Sequence, residues 1–142
     1  MTIAVKKITC LKDVSNIIHI HNATWNHSPG IIDLLENSTE CFVLYDPDMD
    51  RIFGYLFLEE DVDAGFVEIN DLAIDPNERG KGYGKILLAA VMNKYKNLKL
   101  NADATNSKLI EFYKQFGFQI ECVLENYYSV TKDAVRMIWK LK

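Results

Sequence analysis

Residues 72–88 read LAIDPNERGKGYGKILL, passing from an apolar run through Asp75-Pro76 to glycines at alternate positions and then into a second apolar pattern. Pro76 disfavours helix at the residue before it and so closes the first run as a strand. The spacing from Ile86 onward predicts a helix reaching about Lys96. Glycines at 80, 82 and 84 let backbone N–H groups come close to an anion. A helix N-terminus adds unpaired donors and a favourable dipole. The stretch therefore predicts a phosphate or pyrophosphate site, with a glycine-rich helix entry used only for tight packing as the alternative.

Two familiar phosphate loops are excluded. A Walker loop needs glycine five residues before Gly84 and Ser or Thr after Lys85, where Arg79 and Ile86 stand. A dinucleotide fingerprint needs glycine at 85 or 87, occupied by Lys85 and Leu87, and belongs after the first strand of its unit.

Working outward, TIAVKKIT alternates like a strand, and Leu11, Val14, Ile17 and Ile18 follow at helical spacing. Ser28-Pro29 opens a short second helix, PGIIDLLENS. CFVLY and RIFGYLFLEE read as a hairpin around DPDMD, and GFVEINDLAID as a fourth strand. Downstream, LKLNADA is a fifth strand. Asn106 or Ser107 caps a helix, SKLIEFYKQF, that Gly117 stops, and FQIECVLENYY and AVRMIWKLK close the chain as strands. With no repeat, linker or low-complexity tract, residues 1–142 read as one continuous mixed α/β domain.

Composition narrows the function classes. The chain has 142 residues, 49% hydrophobic and 25% charged, enough for one core. A net charge of −4 argues against a broad grip on nucleic acid. No apolar stretch approaches the roughly 20 residues of a membrane span, and MTIAVKKITC lacks the order of a signal peptide, so a cytoplasmic protein is expected. Cys10, Cys41 and Cys122 form no Cys-x-x-Cys pair and read as reduced, buried thiols. His19, His21 and His27 contain no i, i+4 pair, so exposed histidines are expected and no metal site.

LAIDPNERGKGYGKILL resembles the coenzyme-A signature of the GNAT superfamily of N-acetyltransferases, Arg/Gln-x-x-Gly-x-Gly/Ala, matched at Arg79, Gly82 and Gly84. A second motif of that family, Asn followed seven residues later by Tyr and then Gly-Phe, is matched at Asn106, Tyr113 and Gly117-Phe118. The matching residues lie between about Glu68 and Phe118, and the first 60 agree only in the pattern of elements. The resemblance implies a mixed, mostly antiparallel sheet of about seven strands with about four helices, strands four and five splayed to admit a pantetheine arm. It also implies transfer of an acetyl group from acetyl-CoA directly to a primary amine.

That chemistry must hold a pyrophosphate, deprotonate an amine and stabilise a departing thiolate. By resemblance, backbone N–H groups of Arg79, Gly80, Lys81, Gly82, Tyr83 and Gly84 receive the pyrophosphate. Leu72, Ala73 and Ile74 bind the pantetheine arm, and Asn106 contacts the coenzyme. Tyr113 matches the proton donor to the thiolate, although a helical aromatic packed beside Phe112 and Phe116 fits the same spacing. Glu68 stands where some relatives keep a base glutamate. Asp71 is its rival, because a bulge in the strand would change which side chains face the cleft. Trp25 and His27 fall where relatives build part of the acceptor pocket, or else Trp25 caps the core. Glu59, Glu60, Asp61 and Asp63 form a solvated turn or an acidic rim favouring a cationic acceptor.

The acceptor itself, a small molecule such as a polyamine or a peptide or protein amine, is not encoded in these motifs. A homodimer is compatible with the resemblance. A non-catalytic acyl-CoA-binding regulatory domain is the alternative to the enzyme.

Overall fold

The computed structural model of the chain describes residues 4–7, 11–24, 34–36, 38–61 and 65–141. Its elements are β1 (Ala4–Lys7), α1 (Leu11–Thr24), β2 (Glu40–Asp46), β3 (Arg51–Asp61), β4 (Phe66–Ile74), a 3₁₀ turn (Pro76–Glu78), α2 (Tyr83–Lys94), β5 (Asn97–Asp103), α3 (Ser107–Gln115), β6 (Gln119–Ser129) and β7 (Lys132–Lys140). Residues 34–36 are helical, inside the expected second helix, most of which lies outside the described residues.

The strands form one seven-stranded sheet in the order β1-β2-β3-β4-β5-β7-β6. β4 and β5 pair in parallel, while β1 with β2, β2 with β3, β5 with β7 and β6 with β7 are antiparallel. The parallel register covers Val67↔Leu98, Glu68↔Lys99 and Ile69↔Leu100, although β4 continues to Ile74 and β5 to Asp103. The mixed sheet and the early end of this pairing agree with the expected fold class.

The chain divides into two compact units, residues 1–60 with 70–94 and residues 61–69 with 95–142, so that β4 contributes Phe66–Ile69 to the second and Asn70–Ile74 to the first. In the first unit, Val43, Leu44 and the run Ile52–Leu58 are almost wholly buried. α2 adds Tyr83, Leu87, Leu88 and Val91 at helical spacing. Gly54 matters here because a Cβ at that position would lie 2.5 Å from Ile74 Cδ1 and 3.1 Å from the Ala73 carbonyl. The missing side chain lets the end of β4 pack close against β3.

Of the helically spaced apolar positions of α1, Ile17 is fully buried, and the inward stripe also carries polar residues. Asp13, Ile17, Ile20 and His21 face inward, whereas Val14 and Ile18 are half-buried. A buried polar group is tolerable only with partners. Asp13 has Lys6 Nζ at 3.4 Å, and His21 has two partners in the sheet.

In the second unit, Leu98, Leu100, Ala102, Ala134, Val135 and Met137 line the strands, with Ile110, Tyr113 and Phe118 packed there from α3 and its exit. Asn106 caps α3, its Oδ1 accepting from the Leu109 N–H at 3.2 Å, and Gly117 at φ +95° ends it. β6 is the edge strand and is largely exposed, including Val123, Tyr127 and Tyr128.

Candidate functional site

The turn after β4 is built by Asp75. Its carboxylate accepts the Asn77 N–H at 3.0 Å and pairs with Arg51, while its own N–H donates to the Phe53 carbonyl at 2.8 Å. Burial alone would raise the Asp75 pKa, but the Asn77 N–H and the Arg51 guanidinium outweigh it and hold the carboxyl below its usual range. Its stabilising contribution is therefore present above the ordinary carboxylate pKa and is lost as pH falls through the depressed one.

Arg79 turns its side chain back, Nε donating to the Ile74 carbonyl at 3.2 Å and Nη2 to Thr24 Oγ1 at 3.1 Å. The guanidinium thus fastens the end of β4 to the last residue of α1. Lys81 pairs with Glu78 at 2.7 Å.

Gly80 and Gly82 both have φ +81°, the left-handed region that favours glycine, and both are exposed. They deliver the chain into α2, whose first N–H groups have no intrahelical acceptor. Gly84 lies within α2, so it is not one of the residues that need this conformation. Tyr83 is buried and stacks on Phe53, with ring centroids 5.8 Å apart, so its share in any anion site is confined to its backbone. The exposed glycine bend and open helix end together fit a diphosphate.

On β4 burial alternates plainly. Ile69, Asp71 and Ala73 are buried, whereas Glu68, Asn70, Leu72 and Ile74 are half-buried. Glu68 and Asp71 therefore point to opposite faces of the strand. Asp71 accepts from the Tyr55 hydroxyl at 2.7 Å, and its Oδ2 lies 3.3 Å from His21 Nδ1, which is itself 2.9 Å from the Tyr55 oxygen. His21 thereby departs from the exposed histidine expected; His19 is exposed as expected, and His27 lies outside the described residues. The sequence signal for His21 was available, since it falls four residues after Ile17 on the inward stripe. Nothing in the pattern marked Tyr55.

In the second unit Tyr113 is buried, its ring edge-on to Phe112 and Phe118 at 5.3 Å each. Phe112 packs there as the spacing suggested, and Phe118 joins it from beyond the helix. Asn106 is exposed, with Oδ1 engaged in the cap.

Other sequence candidates are less concentrated. Glu59 accepts from Asn70 Nδ2 at 3.3 Å, and Asp61 pairs with Lys99 at 3.0 Å, so the acidic run is partly neutralised. Asp63, Trp25 and Cys10 lie outside the described residues. Among the described residues, no group of three or more His, Cys, Asp or Glu is placed to hold a metal, and no helix is long and apolar enough to cross a membrane.

Cys122 is half-exposed, contrary to the buried thiol expected, while Cys41 is buried. Burial, with smaller contributions from Asp71 and Asp13, pushes the Cys41 thiol up to about 12. Only thiolate reacts quickly, so at pH 8 a maleimide should label Cys122 while Cys41 stays unmodified until the protein is denatured. Mass spectrometry of the peptides checks this, and prompt labelling of Cys41 in the folded chain would contradict its burial.

The model of the acetyltransferase (GNAT) family matches residues 12–118 of the chain. A peptidyl-lysine N-acetyltransferase of Salmonella typhimurium, YjaB, is 34% identical over 74 residues, covering 51% of this chain and 46% of that protein, so the alignment spans about half the length of that relative. A Bacillus subtilis protein, named provisionally as a ribosomal protein bS18-alanine N-acetyltransferase, is 24% identical over 138 residues, covering 91% and 89% of the two chains. The crystal structure of the ribosomal-protein-S18-alanine N-acetyltransferase from Escherichia coli superposes with a TM-score of 0.86 at 19% identity, covering 99% of this chain and 95% of that one.

Proposed function

This chain belongs to the GNAT acetyltransferase family, and from that premise we propose that residues 1–142 are an N-acetyltransferase domain moving an acetyl group from acetyl-CoA to a peptide or protein amine. The carrying observation is the pair of exposed left-handed glycines, 80 and 82, opening the N-terminus of α2. Backbone N–H groups from Arg79 to Gly84 are the diphosphate donors in this reading. The main chain of Leu72, Ala73 and Ile74 receives the pantetheine arm, and Asn106 contributes its carboxamide N–H₂ to the coenzyme. The choice of a peptide amine over a polyamine follows the relatives' names and the partial neutralisation of the acidic run.

Direct attack requires a free amine, and a primary alkyl amine is mostly protonated at neutral pH. Glu68 is the base in this scheme, acting directly or through water, because the Asp71 carboxylate already accepts from Tyr55 inside the protein. Glu68 first takes a proton from the ammonium; the free amine then forms the N–C bond, and as the C–S bond breaks nitrogen gives up its second proton to solvent. Tyr113 gives its phenolic proton to the departing sulfur.

The test is release of free CoA thiol from acetyl-CoA with a panel of peptides bearing free N-termini, lysine peptides, diamines and neutral amines. Turnover with a peptide class, together with acetyl-CoA binding that ATP does not displace, is expected. Binding without thiol release for any amine would identify a non-catalytic acyl-CoA-binding domain. Absence of binding would reject both.

A further inference from the structure

We propose that His21, Tyr55 and Asp71 form a buried latch that sets the main-chain shape of Leu72–Ile74, and so act as positioning residues for whatever that strand end binds. The three residues come from α1, β3 and β4, and none exceeds 8% exposure. Their protons can be assigned from the distances. Tyr55 has one proton and donates it to Asp71 Oδ2 at 2.7 Å. Its oxygen is then an acceptor, so His21 Nδ1, 2.9 Å from that oxygen and 3.3 Å from Asp71 Oδ2, carries a hydrogen shared between them. Each member is matched by the other two. A buried carboxylate without such donors is strongly penalised, so the arrangement has a steep preference for one geometry.

The place of the latch gives it a role beyond stability. The parallel pairing of β4 ends at Ile69, so Asn70 to Ile74 are not held by that ladder. On its other edge β4 remains hydrogen-bonded to β3, and side chains add directional constraints to that pairing. Asn70 Nδ2 reaches Glu59 at 3.3 Å and Ser38 Oγ at 3.5 Å, Asp71 is fixed by Tyr55 and His21, and the Ile74 carbonyl is taken by Arg79. Leu72 and Ala73 lie between these clamps. Gly54 lets Ala73 pack close against β3. Asp71 is thus the charged, directional fixing point directly before the segment, and a tilt there re-aims the peptide groups that follow.

The inference rests on the proposed function only for the ligand, so the experiment has one readout without coenzyme. Tyr55→Phe removes one oxygen and keeps the ring packing. Asp71→Asn removes the charge, His21→Leu removes the donor, and His21→Asn restores a donor near the place of Nδ1. All are compared with wild type well below their melting temperatures. Amide hydrogen exchange at 72–74 should accelerate about tenfold or more in Tyr55→Phe, Asp71→Asn and His21→Leu. Acetyl-CoA Kd should weaken about three- to tenfold, with acetyl-CoA KM rising in step. His21→Asn should recover most of both. A lower melting temperature with unchanged exchange at 72–74 and unchanged Kd would make the triad a stability element only and overturn the proposal, as would equal defects in His21→Asn and His21→Leu. Should one variant fail to fold, Tyr55→Phe, the mildest, still decides through exchange. If wild type binds no acetyl-CoA the functional reading fails, while the exchange comparison continues to judge the latch.

Discussion

Tyr113→Phe is expected to leave acetyl-CoA binding intact and to slow turnover by roughly 10²–10⁴-fold, the range typical of a lost general acid. The ring is 4% exposed and wedged edge-on between Phe112 and Phe118, so phenylalanine keeps its contacts and removes only the hydroxyl. The thiolate then departs without a proton. A fall in kcat with little change in acetyl-CoA KM is the signature of an interaction made only in the transition state. An unaltered kcat, under conditions where chemistry limits the rate, would return Tyr113 to the aromatic cluster and to nothing more.

Gly82→Val is expected to weaken acetyl-CoA binding tenfold or more, about 1.4 kcal/mol. The reason is conformational. An added Cβ at Gly82 meets nothing within 4 Å, so no clash with the protein arises. The φ of +81° is what a β-branched residue cannot hold cheaply, at a cost of roughly 1–2 kcal/mol. The loop then either stays strained or flips out of the shape that aims its N–H groups. Gly84 was expected to behave like Gly82, but its place inside α2 removes that argument and leaves only close approach of the ligand. Gly84→Ala therefore separates the two causes. Calorimetry on folded Gly82→Val decides the matter, and an undiminished affinity would mean that the diphosphate is held elsewhere.

Much of the fold was legible because local signals agreed. Pro76 closed β4, Asn106 capped α3 and Gly117 stopped it, each through chemistry confined to a few residues. The insertion of β7 between β5 and β6 was not legible, since strand order depends on long-range pairing that no local pattern carries. The polar part of the inward face of α1 was not legible for a related reason. Periodicity counts apolar residues, and here Asp13 and His21 occupy inward positions because distant partners satisfy them. The same blindness hid the fate of Asp71. Its spacing permitted either face, and distant partners, Tyr55 sixteen positions away in the chain and His21, show why it turns inward.

The exposed β6 edge has a consequence for the behaviour of concentrated solutions. A strand paired on one side only and carrying Ile120, Val123, Tyr127 and Tyr128 at 44–57% exposure is a template on which another chain can add. Glu121 and Glu125 punctuate that run, and Asn126, at φ +54°, breaks its straightness with its N–H turned to Asp133 Oδ1 at 2.9 Å. Two like charges and a bend keep neighbouring copies from zipping together. Resistance to edge-to-edge association is thus written into the strand furthest along the sheet from β1.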